Sequence, residues 1–176
     1  MISLNFTFWM FVILFGLIGM MRGWAKELLV SFSMILALAF SRLLERYVPV
    51  IKDLAQDSPS LFWVRLVLII TLVFFGYQTV GLPRFSGKLN REKLQDSLLG
   101  FVLGALNGFL IFGSIWFFMD AAKYPFSAFI TAPDANSEMG KAAINLLPTL
   151  PPHLLGEPAI YFAVMLCFIF VLVVFI

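Results

Sequence analysis

An all-α integral membrane bundle of about five transmembrane helices is the fold class this sequence predicts, and three observations predict it. Of 176 residues, 61% are hydrophobic and only 12% are charged, where a soluble domain carries roughly 25% charged residues; the mean hydropathy is +0.98. The apolar residues fall in blocks of helix-spanning length, not in the alternating segments of about ten residues that build a membrane barrel. The charges collect in the joints between those blocks, so the net charge of +2 reports loop lysines and arginines and implies no nucleic-acid partner.

Five spans follow in order within a single membrane domain, 1–176. The first runs from Leu4 to Met21 and ends at Arg22. It has no Lys or Arg before it and no small-residue cleavage site after it, so it reads as a retained helix. Gly23 permits a tight reversal, which makes a helical hairpin with the second span, Leu28 to Leu44. That span is uncharged only as far as Ser41, so Arg42 is expected to snorkel toward a headgroup layer. The third, Leu66 to Pro83, follows a Ser58-Pro59-Ser60 start signal and an Arg65 that can also snorkel; Tyr77 and Gln78 near its end read as interfacial anchors. The fourth, Ser97 to Met119, is the longest and carries no charge. The fifth opens with Pro158, which a first helical turn accepts, and continues to Ile176. Before it lies the one substantial loop, Asp120 to Glu157. Within the loop, Ser137 to Leu147 reads as a short interfacial helix with Met139, Ala143, Leu146 and Leu147 on one face. Pro148, Pro151, Pro152 and Pro158 then predict an extended approach to the last helix.

Orientation comes from the basic residues in the joints. With alternating spans, Arg22, Lys26, Arg84, Lys88, Arg91 and Lys93 fall on one side and Arg42, Arg46, Lys52, Arg65, Lys123 and Lys141 on the other. The first set is concentrated in short joints, where the rule has most force, and is expected in the cytoplasm. The N-terminus and the 120–157 loop are then expected to face outward.

Two stretches carry local pattern. Arg22-Gly23, with Glu27 after them, join the first two spans and place both charges at one interface. In the fourth span Gly100, Gly104 and Gly108 repeat every four residues, which keeps them on one helix face and lets another backbone approach, as in GxxxG packing. Asp96 heads that helix, where a carboxylate is favoured, and an ion pair between Asp96 and Arg22 is expected because both fall on the same membrane side. Asn107 lies well inside the span and needs partners, so it is expected to point into the bundle as an interhelical hydrogen-bonding group.

Together these stretches resemble the colicin V production protein family of small bacterial inner-membrane proteins. The resemblance rests on Arg22, Gly23 and Glu27 after the first span and on Asp96, Gly100, Gly104 and Gly108 entering the fourth. Family members often carry a basic residue just before the last of these glycines, where this chain has Asn107. The resemblance implies a multi-pass bacterial inner-membrane protein associated with colicin export and envelope maintenance, and it supplies no reaction.

The same residues weigh against catalysis. No acidic or histidine residue is expected deep in a span, which leaves a proton relay without its parts. Cys167 is single, so no disulfide framework or cysteine-based metal site can be built. His153 is the one histidine; it reads as an interfacial loop residue or as a lone axial ligand for a haem or chlorophyll-type pigment. Aromatic residues reach 16%, with 21 phenylalanines, a surface suited equally to lipid, quinone or pigment. Two functions fit: a non-enzymatic export or envelope protein that acts by helix packing, or an accessory subunit of a photosynthetic or respiratory complex. Expected partners are membrane lipids and other membrane subunits, met through the Gly100/Gly104/Gly108 face or the Phe-rich surface.

Overall fold

The computed structural model describes residues 4–78 and 90–175, and these form helices separated by joints, the longest running 122–137, with no strand among them. Helix α1 (Leu4–Arg22) is followed after one residue by α2 (Trp24–Tyr47), a single turn α3 (Pro49–Lys52), α4 (Pro59–Tyr77) and α5 (Asn90–Ala121). Of these, α1, α2, α4 and α5 are long and apolar enough to cross a bilayer. A fifth apolar element is bent: α6 (Glu138–Leu146), a 3-10 turn at Leu147–Thr149 and α7 (Pro151–Leu154) meet α8 (Ala159–Phe175) at 54°. Residues 79–83 of the third expected span, and Arg84 and Lys88 used in the orientation argument, lie outside the described residues, as does Ile176.

Local chemistry sets these boundaries. Gly23 holds φ at 87°, a left-handed region open to glycine, and this single residue reverses the chain between α1 and α2. Ser58 caps α4 by accepting from the Leu61 amide, and Pro59 occupies the first turn, where its missing N–H costs nothing. The helix therefore starts a full two turns before Leu66 and carries Arg65 inside it. Ser137 caps α6 in the same way, accepting from Gly140 N at 3.0 Å.

Between membrane helices no hydrophobic force favours contact, because lipid tails are as apolar as leucine; close packing and polar bonds must hold the bundle. α1 and α5 supply the packing. They run antiparallel with their glycines facing: a Cβ on Gly19 would stand 2.7 Å from Gly104 Cα, and one on Gly108 would stand 2.9 Å from Val12 Cα. Above the glycines the seam becomes aromatic, with Phe11 stacked on Phe112 at 4.0 Å and Phe8 tilted against Trp116 at 5.7 Å. α2 packs on α4, α5 and α8, burying Val30, Met34 and Leu38. The outer faces present Phe6, Trp9, Ile13 and Leu17 of α1 and Phe162, Leu166 and Ile169 of α8, exposed as lipid-facing residues are.

The loop after α5 departs from expectation in two ways. The proline-rich stretch is not extended: it forms the 3-10 turn and α7, because Pro148 and Pro151 both stand at helix starts where the ring fits. Leu150, Pro151 and Pro152 are buried, and Pro151 lies against Gly113 of α5, whose missing side chain makes the room. On α6 the buried residues are Gly140 and Ala143, whereas Met139 is exposed, so the inward face is turned away from Met139.

Candidate functional site

Where α1, α2, α4 and α5 meet, the bundle encloses a carboxylate. Glu27 is 0% exposed, one turn into α2, and both of its oxygens are taken. Oε1 accepts from Arg22 Nη1 at 3.0 Å and Oε2 accepts from Asn107 Nδ2 at 2.8 Å. The Asn107 amide also donates to the Glu27 backbone carbonyl at 2.9 Å, and its Oδ1 accepts from the Ser31 hydroxyl at 2.7 Å. Arg22 is held in turn by α4: its guanidinium lies 4.3 Å from the centre of the Tyr77 ring, and Nη2 donates to the Tyr77 carbonyl at 3.3 Å. One positive and one negative group thus cancel inside the protein, with charge-assisted bonds to each, the arrangement that makes a buried pair tolerable.

Sequence position alone placed Arg22 and Glu27 together at an interface and left every span without a deep acid. The structure brings them together but buries Glu27 completely. Its acceptor site is completed by Asn107, which lies near the middle of the uncharged Ser97–Met119 stretch. Tyr77 is likewise no simple interfacial anchor, since its ring supports Arg22 and its hydroxyl is buried.

The expected Arg22–Asp96 pair does not form. Asp96 instead accepts from the Trp24 backbone N–H at 3.1 Å, so a carboxylate from α5 caps the first turn of α2, where free amides and the helix dipole favour negative charge. Gly23 is required here twice over, because a Cβ would also stand 2.8 Å from Asp96 Oδ2. Gly100, Gly104 and Gly108 do receive a close backbone, and it is that of the same chain, through Gly19, Phe15 and Val12 of α1 and Gly23 of the turn after it. Ser114, seven residues beyond Asn107, is fully buried with no partner for its hydroxyl among the described residues.

A second charged group, at the far end of α2, was not singled out by sequence. Arg65 binds Glu45 through Nε at 2.7 Å and Nη2 at 2.8 Å, a two-pronged pair, and Nη2 also donates to Gln56 Oε1 at 2.8 Å. Ser41 donates to Glu45 at 3.1 Å, and the Arg65 guanidinium lies 4.7 Å from the Phe118 ring centre. Arg65 is only 6% exposed, so it does not snorkel; a carboxylate within reach makes burial cheaper than stretching to the headgroups. Arg42 also turns inward, donating to the Pro152 carbonyl at 2.8 Å. The signal that could have found this group is the presence of an arginine inside an apolar helix, which requires a partner on a neighbour.

His153 is exposed on α7, and Cys167 is buried in α8. Among the described residues no group of three or more His, Cys, Asp or Glu is placed to hold a metal ion. With both Glu27 oxygens bound from α1 and α5, what the cluster does chemically is fasten helices to each other.

Fold and site together define a multi-pass membrane bundle whose first four long helices are closed by a glycine seam and two guanidinium–carboxylate pairs, each with one buried member. The family model for colicin V production protein matches residues 4–139, which covers α1 to α5 and the start of α6, and the chain belongs to that family. No curated protein and no solved structure matches it.

Proposed function

We propose that this protein is a non-enzymatic component of the bacterial inner membrane that serves export or envelope maintenance as a rigid helical scaffold. The observation that carries the reading is the saturation of Glu27: its two oxygens are bound by residues of α1 and α5, and Arg22 is anchored on α4, so four helices are locked at one point. Family membership supports the export or envelope role, and the dense basic joints support a cytoplasmic Arg22 turn with the N-terminus outside. Because the glycine face is filled from within the chain, a partner subunit would meet the Phe-rich outer surface of α1, α4 or α8.

The test is complementation. In a strain lacking the protein and showing an export or envelope defect, Gly104→Leu would have to force α1 off α5 and should fail to complement, whereas Phe162→Leu on the lipid face should complement. Full activity of Gly104→Leu would sink the scaffold reading. The exposed aromatic surface also favours a second reading, an accessory subunit of a larger respiratory or photosynthetic assembly. Extraction at native expression level distinguishes the two, since that subunit must bring a stoichiometric larger partner with it.

A further inference from the structure

At the Tyr47 end of α2, an open hollow of about 410 Å³ is lined by Arg42, Glu45, Arg46 and Glu157. We propose that it is a binding site for the phosphate of an anionic phospholipid. The charges within it are not equally available. Glu45 is consumed by the two-pronged bond from Arg65, so it offers little to a third guanidinium. Arg42 meets a neutral carbonyl, that of Pro152, through one of its nitrogens and has no carboxylate partner among the described salt bridges. Arg46 meets Glu157 at 3.7 Å with 59% of its side chain exposed, a loose surface contact that a phosphate can replace. Counting Arg65, three guanidiniums stand against two carboxylates, and the unmatched charge lies on Arg42.

The surface beside the hollow fits the rest of a lipid. Arg42 and Arg46 are four residues apart on α2 and therefore neighbours. Next to them Leu36, Phe40, Leu43 and Tyr47 follow at helical spacing and are all exposed. The cations and the tyrosine thus sit at the end of the apolar span, at headgroup level, while leucine and phenylalanine continue along the same helix into the hydrocarbon. Basic hollows between membrane helices with an aromatic at the interface suit anionic headgroups. A free inorganic phosphate would use the arginines but not the apolar stripe.

The experiment uses the full chain, purified in mild detergent and stripped of lipid, with retained lipid counted by native mass spectrometry. Phosphatidylglycerol and phosphatidylcholine are offered at equal concentration. One phosphatidylglycerol per chain should be kept in preference to phosphatidylcholine, and the preference should fall about fivefold for each arginine replaced. Arg42→Gln/Arg46→Gln is the full test. Arg46→Gln alone keeps the proposal testable if loss of the Arg42–Pro152 bond harms folding, because Arg46 is exposed and its removal leaves the bundle intact. Lys141→Gln on α6 is the control and should change nothing. Equal retention of the two lipids, or an Arg46→Gln protein with undiminished preference, overturns the proposal. Excess inorganic phosphate should leave the lipid bound; if it displaces the lipid, the site belongs to a free anion and the lipid assignment fails.

Discussion

Asn107→Leu is the substitution that most directly tests the enclosed cluster. The leucine keeps the branching at Cγ and the helix, at somewhat greater bulk, but removes two donors and one acceptor: the bonds to Glu27 Oε2 at 2.8 Å, to the Glu27 carbonyl at 2.9 Å and from Ser31 at 2.7 Å. Interhelical hydrogen bonds measured in membranes average about 0.6 kcal/mol, so three of them give a floor of ~2 kcal/mol. One of the three is to a carboxylate with no water at hand, and bonds to charged groups contribute about 1.5–3 kcal/mol, which lifts the expected loss to ~4 kcal/mol. At about 1.4 kcal/mol per tenfold, the unfolding equilibrium should rise by a factor of roughly 30 to 700. Reversible unfolding in mixed micelles, followed by loss of helical circular dichroism, measures it. Ser31→Ala alone should cost about 1 kcal/mol and clearly less on top of Asn107→Leu, because the shorter bond to Asn107 is already gone and only the 3.2 Å bond to the Glu27 carbonyl remains to be lost. A loss under about 0.5 kcal/mol for Asn107→Leu, or full additivity with Ser31→Ala, would refute the idea that Asn107 completes the Glu27 site.

Three other outcomes follow from the same geometry. Arg65→Leu leaves Glu45 charged and unpaired and should cost about 3–5 kcal/mol in the same unfolding assay, and Arg65→Lys should recover little of it, since a single ammonium cannot make both prongs of the bond and reach Gln56. Asp96→Ala should lower stability by about 1 kcal/mol through loss of the cap on α2, with Asp96→Asn falling between it and the native residue because the amide oxygen still accepts from Trp24. The exposed Asp57–Lys123 pair, 2.6 Å apart, ties the α3–α4 joint to the end of α5. Lys123 holds the Asp57 carboxyl below its ordinary 3.8, and Asp57 holds the Lys123 ammonium above its ordinary 10.5. The contribution of Asp57 is therefore fully present above pH 3.8 and lost as pH falls through its lowered value; that of Lys123 is present below pH 10.5 and lost as pH rises through its raised value. Proteolysis or hydrogen exchange at the 53–58 joint should accordingly show protection across the middle of the pH range that Lys123→Ala abolishes, and protection unaffected by pH or by the substitution would remove the pair from the account.

The membrane bundle was legible because its signals are local and repeated. Composition, block length and the four-residue glycine spacing each depend only on nearby residues, and each points to lipid-spanning helices with one close seam. The contents of the core were less legible because they depend on which helices meet. Asp96 and Arg22 share a membrane side, and from sequence nothing distinguishes a pair between them from the arrangement found, in which Arg22 turns to Glu27 and Asp96 to the Trp24 amide. Arg42 and Arg65 looked like snorkelling residues because snorkelling needs only their own long side chains. Burial needs Pro152 and Glu45, brought to them from 110 and 20 residues away. The prolines misled for a related reason: an isolated proline-rich segment favours extension, but Pro151 set against Gly113 gains packing that a free segment lacks.

The depth of Glu27 could have been suspected from a relation that spans the whole of α2. Glu27 and Glu45 are 18 residues apart, five turns of 3.6, so they lie on one face of the helix and about 27 Å apart along it. Each is met by an arginine from a different neighbour, Arg22 of α1 at one end and Arg65 of α4 at the other. A single buried pair would fasten α2 at one point and leave its rotation and tilt to apolar packing, which in lipid discriminates poorly between registers. Two pairs on one face remove that freedom. Rotating α2 by 100°, or sliding it by one residue, would pull both carboxylates from both guanidiniums at once and leave the buried members, Glu27 and Arg65, unpaired away from water. On this argument the ionic groups are retained for register, which agrees with a protein whose long helices present mostly apolar outer faces and whose internal order must come from a few directional contacts.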